Sequence, residues 1–138
     1  MDNNEILSVV KARVNSFLTE NDNNVKSSFL DNIAYYSKEI GFENTIDILL
    51  PILKKIKNEN EIIKAKFLVN IPKLAAYLDT QKGYLIIRDQ ILPIISSFFN
   101  NTSTKVVDHA FDAFIDISQY ISEEDKGMHV LNTVIRKF

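Results

Sequence analysis

One block of this chain occurs twice, and the distance between the copies limits what it can fold into. The first copy reads Leu49-Leu50-Pro51-Ile52-Leu53, a polar stretch, then Ile63-Lys64-Ala65-Lys66-Phe67-Leu68-Val69-Asn70-Ile71. The second reads Ile91-Leu92-Pro93-Ile94-Ile95, a polar stretch, then Val106-Val107-Asp108-His109-Ala110-Phe111-Asp112-Ala113-Phe114. The Leu-Pro steps lie 42 residues apart, and the second-helix starts, Ile63 and Val106, lie 43 apart. A period near 40 built from two apolar helical stripes predicts a solenoid of stacked helical pairs. Such a chain presents a long surface, which points to binding rather than catalysis.

The rest of the chain extends the pattern. Ile6, Val10, Val14, Phe17 and Leu18 recur at helical spacing and predict helix 1A over about 4–19. Val25, Phe29, Ile33, Tyr36 and Ile40 predict helix 1B, stopped by Gly41 as a C′ glycine. Helices 2A (43–57), 2B (61–78), 3A (84–99) and 3B (105–121) follow, and helix 4A is expected over 123–138. The expected repeats are therefore 4–41, 43–79, 84–121 and a partial 123–138, within a single domain over 1–138. Phe67, Ile71, Phe111 and Phe114 are expected in the shared core. Pro51, Pro72 and Pro93 fall inside helical patterns, where proline removes a backbone hydrogen bond and bends the helix.

Composition narrows the chemistry. Leu, Ile, Val and Phe supply 49 of 138 residues, enough to fill a continuous core, with three glycines and three prolines as punctuation. A formal charge of −2 gives no electrostatic case for nucleic acid. The absence of cysteine excludes disulfides, thiolate metal sites and a cysteine nucleophile. His109 and His129 lie on separate predicted helices, and no phosphate loop or nucleophile elbow occurs. No cofactor or metal is expected, and no enzyme activity. Asp108 and Asp112, four residues apart, form a solvated ridge rather than an opposed catalytic pair. The apolar runs are too short to span a bilayer, and Met1-Asp2-Asn3-Asn4-Glu5 lacks the basic flank of a signal peptide. The expected compartment is the cytoplasm, with the nucleus also open to it.

The Leu-Pro steps of the A helices and the openings Val25-Lys26 and Ile63-Lys64 of the B helices resemble HEAT repeats. Val106-Val107 departs from that opening, and Arg13 and Asn132 stand where the A-helix proline would fall in the terminal repeats. The fold this implies is an all-α HEAT-repeat α-solenoid, an armadillo-like superhelix of three helical pairs plus one helix. Ile63 to Leu74, with its Ile71-Pro72 step, is most similar to regulatory and scaffold subunits of phosphatase 2A-type serine/threonine phosphatases, above all the HEAT regulatory subunit of protein phosphatase 4. The resemblance implies a non-catalytic scaffold whose partner is a phosphatase catalytic subunit. Other readings are a transport adaptor or complex-assembly module and, with less support, a HEAT-like DNA glycosylase.

In HEAT stacks the turns within each pair align along one ridge and touch partners. Here they are 20–24, 58–61 and 100–104, and the expected contact residues are Glu20, Asp22, Asn58, Glu59, Asn60, Glu61, Asn100 and Asn101. Their acidic and amide character suits a partner with basic groups. Helix 4A, with Val130, Leu131, Val134, Ile135 and Phe138 at helical spacing, is expected to support self-association.

Overall fold

The computed structural model describes residues 3–125, and among them the secondary structure is helical without a strand. The first pair is α1 (Asn3–Thr19), followed by α2 (Asn23–Asp31) and α3 (Ile33–Ile40). On α1, Val10 and Phe17 are buried and Ile6 and Val14 half-buried, as their spacing requires. Leu18 instead faces solvent, because one residue beyond Phe17 turns the side chain by about 100°.

The single helix expected over 25–40 is interrupted at Asn32. Its side-chain amide donates to the Ser28 carbonyl at 2.8 Å, and its own N–H reaches back three residues to Phe29 at 3.2 Å. A short polar side chain competing for a carbonyl in this way tightens the turn locally. The bond from Tyr36 N–H to Asn32 O resumes the helix at once. α3 then ends at Gly41, whose φ of 88° lies where an L side chain would be strained.

The Leu-Pro steps show the same device twice. α4 (Phe42–Asn44) runs into a π turn, Thr45–Leu49, and then α5 (Leu50–Leu53). One repeat later α7 (Tyr84–Ile86) runs into a π turn, Ile87–Ile91, and then α8 (Leu92–Ser97). The Leu50 N–H bonds the Thr45 carbonyl and the Leu92 N–H bonds the Ile87 carbonyl, five residues back in each case. Each wide turn closes just before its proline, so Pro51 and Pro93 sit in the first turn of a new α segment. Bonding five residues back immediately before the proline is how the helix accommodates a residue with no N–H to give. Short 3-10 turns at Ile56–Asn58 and Phe98–Asn100 finish both segments. Pro72 remains inside α6 (Glu61–Thr80).

The B helices form the spine of the stack. α6 packs against α2 and α3 and also against α9 (Thr104–Ser118), while α1 covers α2 and α3 and α8 covers α9. Ile63, Phe67, Ile71, Leu74 and Leu78 of α6 are all buried. On α9 the buried stripe is Val106, Ala110, Ala113 and Ile117. Phe111 departs from its expected core position and remains 39% exposed. The inward positions belong to the two alanines, and Phe111 lies one step round the helix. Its ring stacks on Phe99 at 4.4 Å with the planes 8° apart, and half-buried Phe114 meets Phe99 edge-on at 5.6 Å. Residues 123–125 begin a further helical turn. The rest of expected helix 4A, its self-association surface and His129 lie outside the described residues.

Truncating Phe67 to alanine should cost about 3–5 kcal/mol, the usual range for a buried phenylalanine. Phe111→Ala should cost less than about 2 kcal/mol, because less apolar area leaves the protein interior. Urea denaturation checks the contrast, and equal losses would contradict the assignment of Phe111 to the surface.

Candidate protein-interaction surface

The polar turns are first of all helix caps. Asp22 accepts from the Asn24 N–H at 2.8 Å, Asn60 from the Ile63 N–H at 3.1 Å and Ser103 from the Val106 N–H at 3.4 Å. Each B helix therefore has an orphan donor satisfied by a side chain from its preceding turn. Asn101 supports the third cap by accepting from the Ser103 N–H at 2.9 Å.

The same turns are tied to one another. The Lys26 ammonium donates to both oxygens of Glu59, at 2.7 and 2.8 Å. Only 11% and 19% of the two side chains is exposed. The Phe17 ring, 5.2 Å from the ammonium, gives the charge an aromatic face as well. Beside this pair, the Asn60 amide donates to Asn23 at 2.8 Å. Farther along the helices, Asp31 accepts from Asn70 at 2.9 Å and pairs with Lys66 at 3.3 Å. Burial acts to raise the Asp31 carboxyl, but the bonds from Asn70 and Lys66 and the nearby lysine charges leave it below its ordinary value. Pairs one and two are thus joined by polar bonds at two levels.

Among the described residues pairs two and three have no Lys26–Glu59 equivalent: Lys64 keeps the basic opening of its helix, but Asn101 stands 42 residues after Glu59 and offers no carboxylate. A second clasp lies at the far end of α9. The Tyr84 hydroxyl donates to Asp125 and bonds Ser122 Oγ at 2.9 Å, and Arg88 approaches Asp125 at 3.5 Å. The Tyr84 bond foremost, then the Arg88 charge, outweigh burial and hold the Asp125 carboxyl below its ordinary value.

Of the eight expected contact residues, Asp22, Glu59, Asn60 and Asn101 are engaged in internal bonds. Glu20, Asn58, Glu61 and Asn100 face solvent. The cross-turn pairing of Lys26 with Glu59 was not anticipated. Its sequence signal was a basic residue opening helix 1B and an acid in the next turn, 33 residues away. Tyr77 and Tyr120 pack half-buried against the core, and burial pushes both phenols upward. Among the described residues no group of three or more His, Cys, Asp or Glu could hold a metal ion. No helix among them is long and apolar enough to cross a membrane.

A family model, the PIK3R4-like middle domain, matches residues 1–134. The chain belongs to this family. The PIK3R4-like middle domain is a helical, HEAT-like family, and that is the part of the resemblance the match shows. A member is a helical module of the scaffold or regulatory kind. No curated protein and no solved structure matches the chain significantly.

Removing one member of the Lys26–Glu59 pair strands a largely buried charge, so Glu59→Gln should cost on the order of 3 kcal/mol. Replacing both, as Lys26→Met with Glu59→Leu, should recover most of that loss. Thermal or urea unfolding of the three variants measures it, and a double variant as unstable as the single one would contradict a penalty from unpaired charge.

Proposed function

We propose that this chain is a non-catalytic scaffold or regulatory module that binds protein partners along the ridge of its intra-pair turns. The observation that carries this reading is the Lys26–Glu59 and Asn23–Asn60 stitching. It fixes two successive turns in one frame while Glu20, Asn58 and Glu61 face outward. A preorganised surface loses little conformational freedom on binding, which is the usual advantage of a rigid helical array. The acidic and amide groups left on the ridge suit a partner that presents lysine or arginine.

The family supports a setting in the regulatory part of a kinase assembly. A second reading rests on the Leu50-Pro51, Leu92-Pro93 and Ile71-Pro72 steps, which favour a phosphatase 2A-type catalytic subunit as partner. Both readings use the same ridge and place the protein in the cytoplasm, and they differ in the enzyme held.

The purified chain, immobilised and presented in parallel with a kinase catalytic subunit and a phosphatase 2A-type catalytic subunit, separates them. Retention of the kinase subunit supports the first reading and retention of the phosphatase supports the second. In either case Glu20→Lys with Glu61→Lys should weaken capture several-fold, mostly through slower association, and most strongly at low salt. Capture of neither enzyme would overturn both assignments. Capture unaffected by the double charge reversal would overturn the ridge as the binding surface.

A further inference from the structure

A groove of about 270 Å³ opens beside the first turn, between α1 and the α2–α3 helices. Its apolar walls are Val25, Phe29 and Tyr36, and its polar groups are Arg13, Ser16, Asn24 and Ser28. Arg13 occupies the place of the A-helix proline in repeats 2 and 3, so the first A helix spends on a cation the position its successors spend on a Leu-Pro step. Among the described residues Arg13 makes no ion pair. The side chains of Ser16, Asn24 and Ser28 likewise make no hydrogen bond among these residues, and no carboxylate lines the groove. One unpaired guanidinium, three uncommitted polar groups and an aromatic wall therefore share a single concavity in a chain of net charge −2.

We infer that this groove receives an acidic segment of a protein partner, with a Glu or Asp carboxylate on Arg13 and a neighbouring apolar side chain against Phe29 and Tyr36. The volume is at the small end for a ligand site and suits a peptide side chain. Pockets for cofactors and drug-sized ligands run from about 300 to 1,000 Å³, and this one, below that range, has room for a side chain or two. Charge decides between carboxylate and phosphate. A lone arginine balances a monoanion, whereas a phosphate dianion would keep an uncompensated charge. Position connects the groove to the rest of the surface, because Asn24 belongs to the first turn of the ridge. A chain crossing that ridge would pass the groove mouth. The inference rests on the protein-binding reading above and adds the chemistry of one contact.

The test is a titration of the full chain with the capped tripeptide acetyl-Phe-Glu-Leu-amide, followed by backbone amide chemical shifts. Shifts should concentrate at Ser16, Asn24, Val25 and Ser28. The Glu peptide should bind about fivefold tighter than acetyl-Phe-Gln-Leu-amide, the upper range for one solvent-exposed ion pair. Arg13→Gln, a surface change that leaves the core intact, should bring the two peptides to equal affinity. Equal affinity of both peptides for the wild-type chain, or shifts scattered away from the groove, would overturn the site. A phosphoserine peptide binding more than about tenfold tighter than the Glu peptide would overturn the carboxylate assignment. Loss of the groove in these experiments, with enzyme capture on the ridge intact, would remove this contact and leave the scaffold reading standing.

Discussion

The burial of α6 between two neighbouring helical layers is the constraint on which the rest of the structure depends. α2 and α3 cover one flank and α9 another, so α6 needs apolar or small residues over most of its circumference. Ala65, Leu68 and Ala75 are buried in addition to the Ile63-Phe67-Ile71-Leu74-Leu78 stripe. That is why α6 is buried over much of its circumference while α9, the last described B helix, keeps a narrow inward stripe and turns Asp108, Asp112 and Asp116 outward beside exposed Phe111 and Ile115. A HEAT-like array holds together in this way, each helical pair lending its neighbour the surface it cannot bury alone.

The helical stripes were legible in the sequence because a 3.6-residue period survives substitution among aliphatic side chains. Ile63, Phe67, Ile71, Ala110, Ala113 and Ile117 could be placed inward from spacing alone. Spacing also put Phe111 inward, but it lies one step round the helix from buried Ala110 and stays 39% exposed. The π turns before Pro51 and Pro93 were invisible for a different reason. A proline reports only that an α-helical bond is missing, and either a bend or a widened turn satisfies that condition. The repeat of the device at both steps follows from the repeated Leu-Pro context, with the second π turn starting 42 residues after the first.

The surface was legible as a location and obscure in its chemistry. Amide-rich turns starting 38 and 42 residues apart marked the ridge, yet the same residue types cap helices and stitch turns together. Asn60 caps α6 through its oxygen and reaches Asn23 through its nitrogen. Glu59 is bound to Lys26. Assigning such groups needs three-dimensional partners, since a basic helix opening and an acid in the next turn do not by themselves show that residues 26 and 59 meet. What remains outward, Glu20, Asn58 and Glu61 with the Arg13 groove beside them, combines an acidic ridge with one local cation. An exposed polar surface of this kind accords with the scaffold character of the PIK3R4-like middle domain.

The central claim, that α6 is the shared element holding the stack together, makes a definite statement about local stability. Helices buried on two flanks open only when the whole array opens, whereas helices at the edges open in smaller excursions. Native-state hydrogen exchange followed by mass spectrometry across a series of low urea concentrations measures this directly. The account predicts that amides of the Phe67–Leu78 region exchange only through global unfolding, with α1 opening at lower free energy. Exchange of the α6 amides through a local opening, while α1 stays protected, would contradict it.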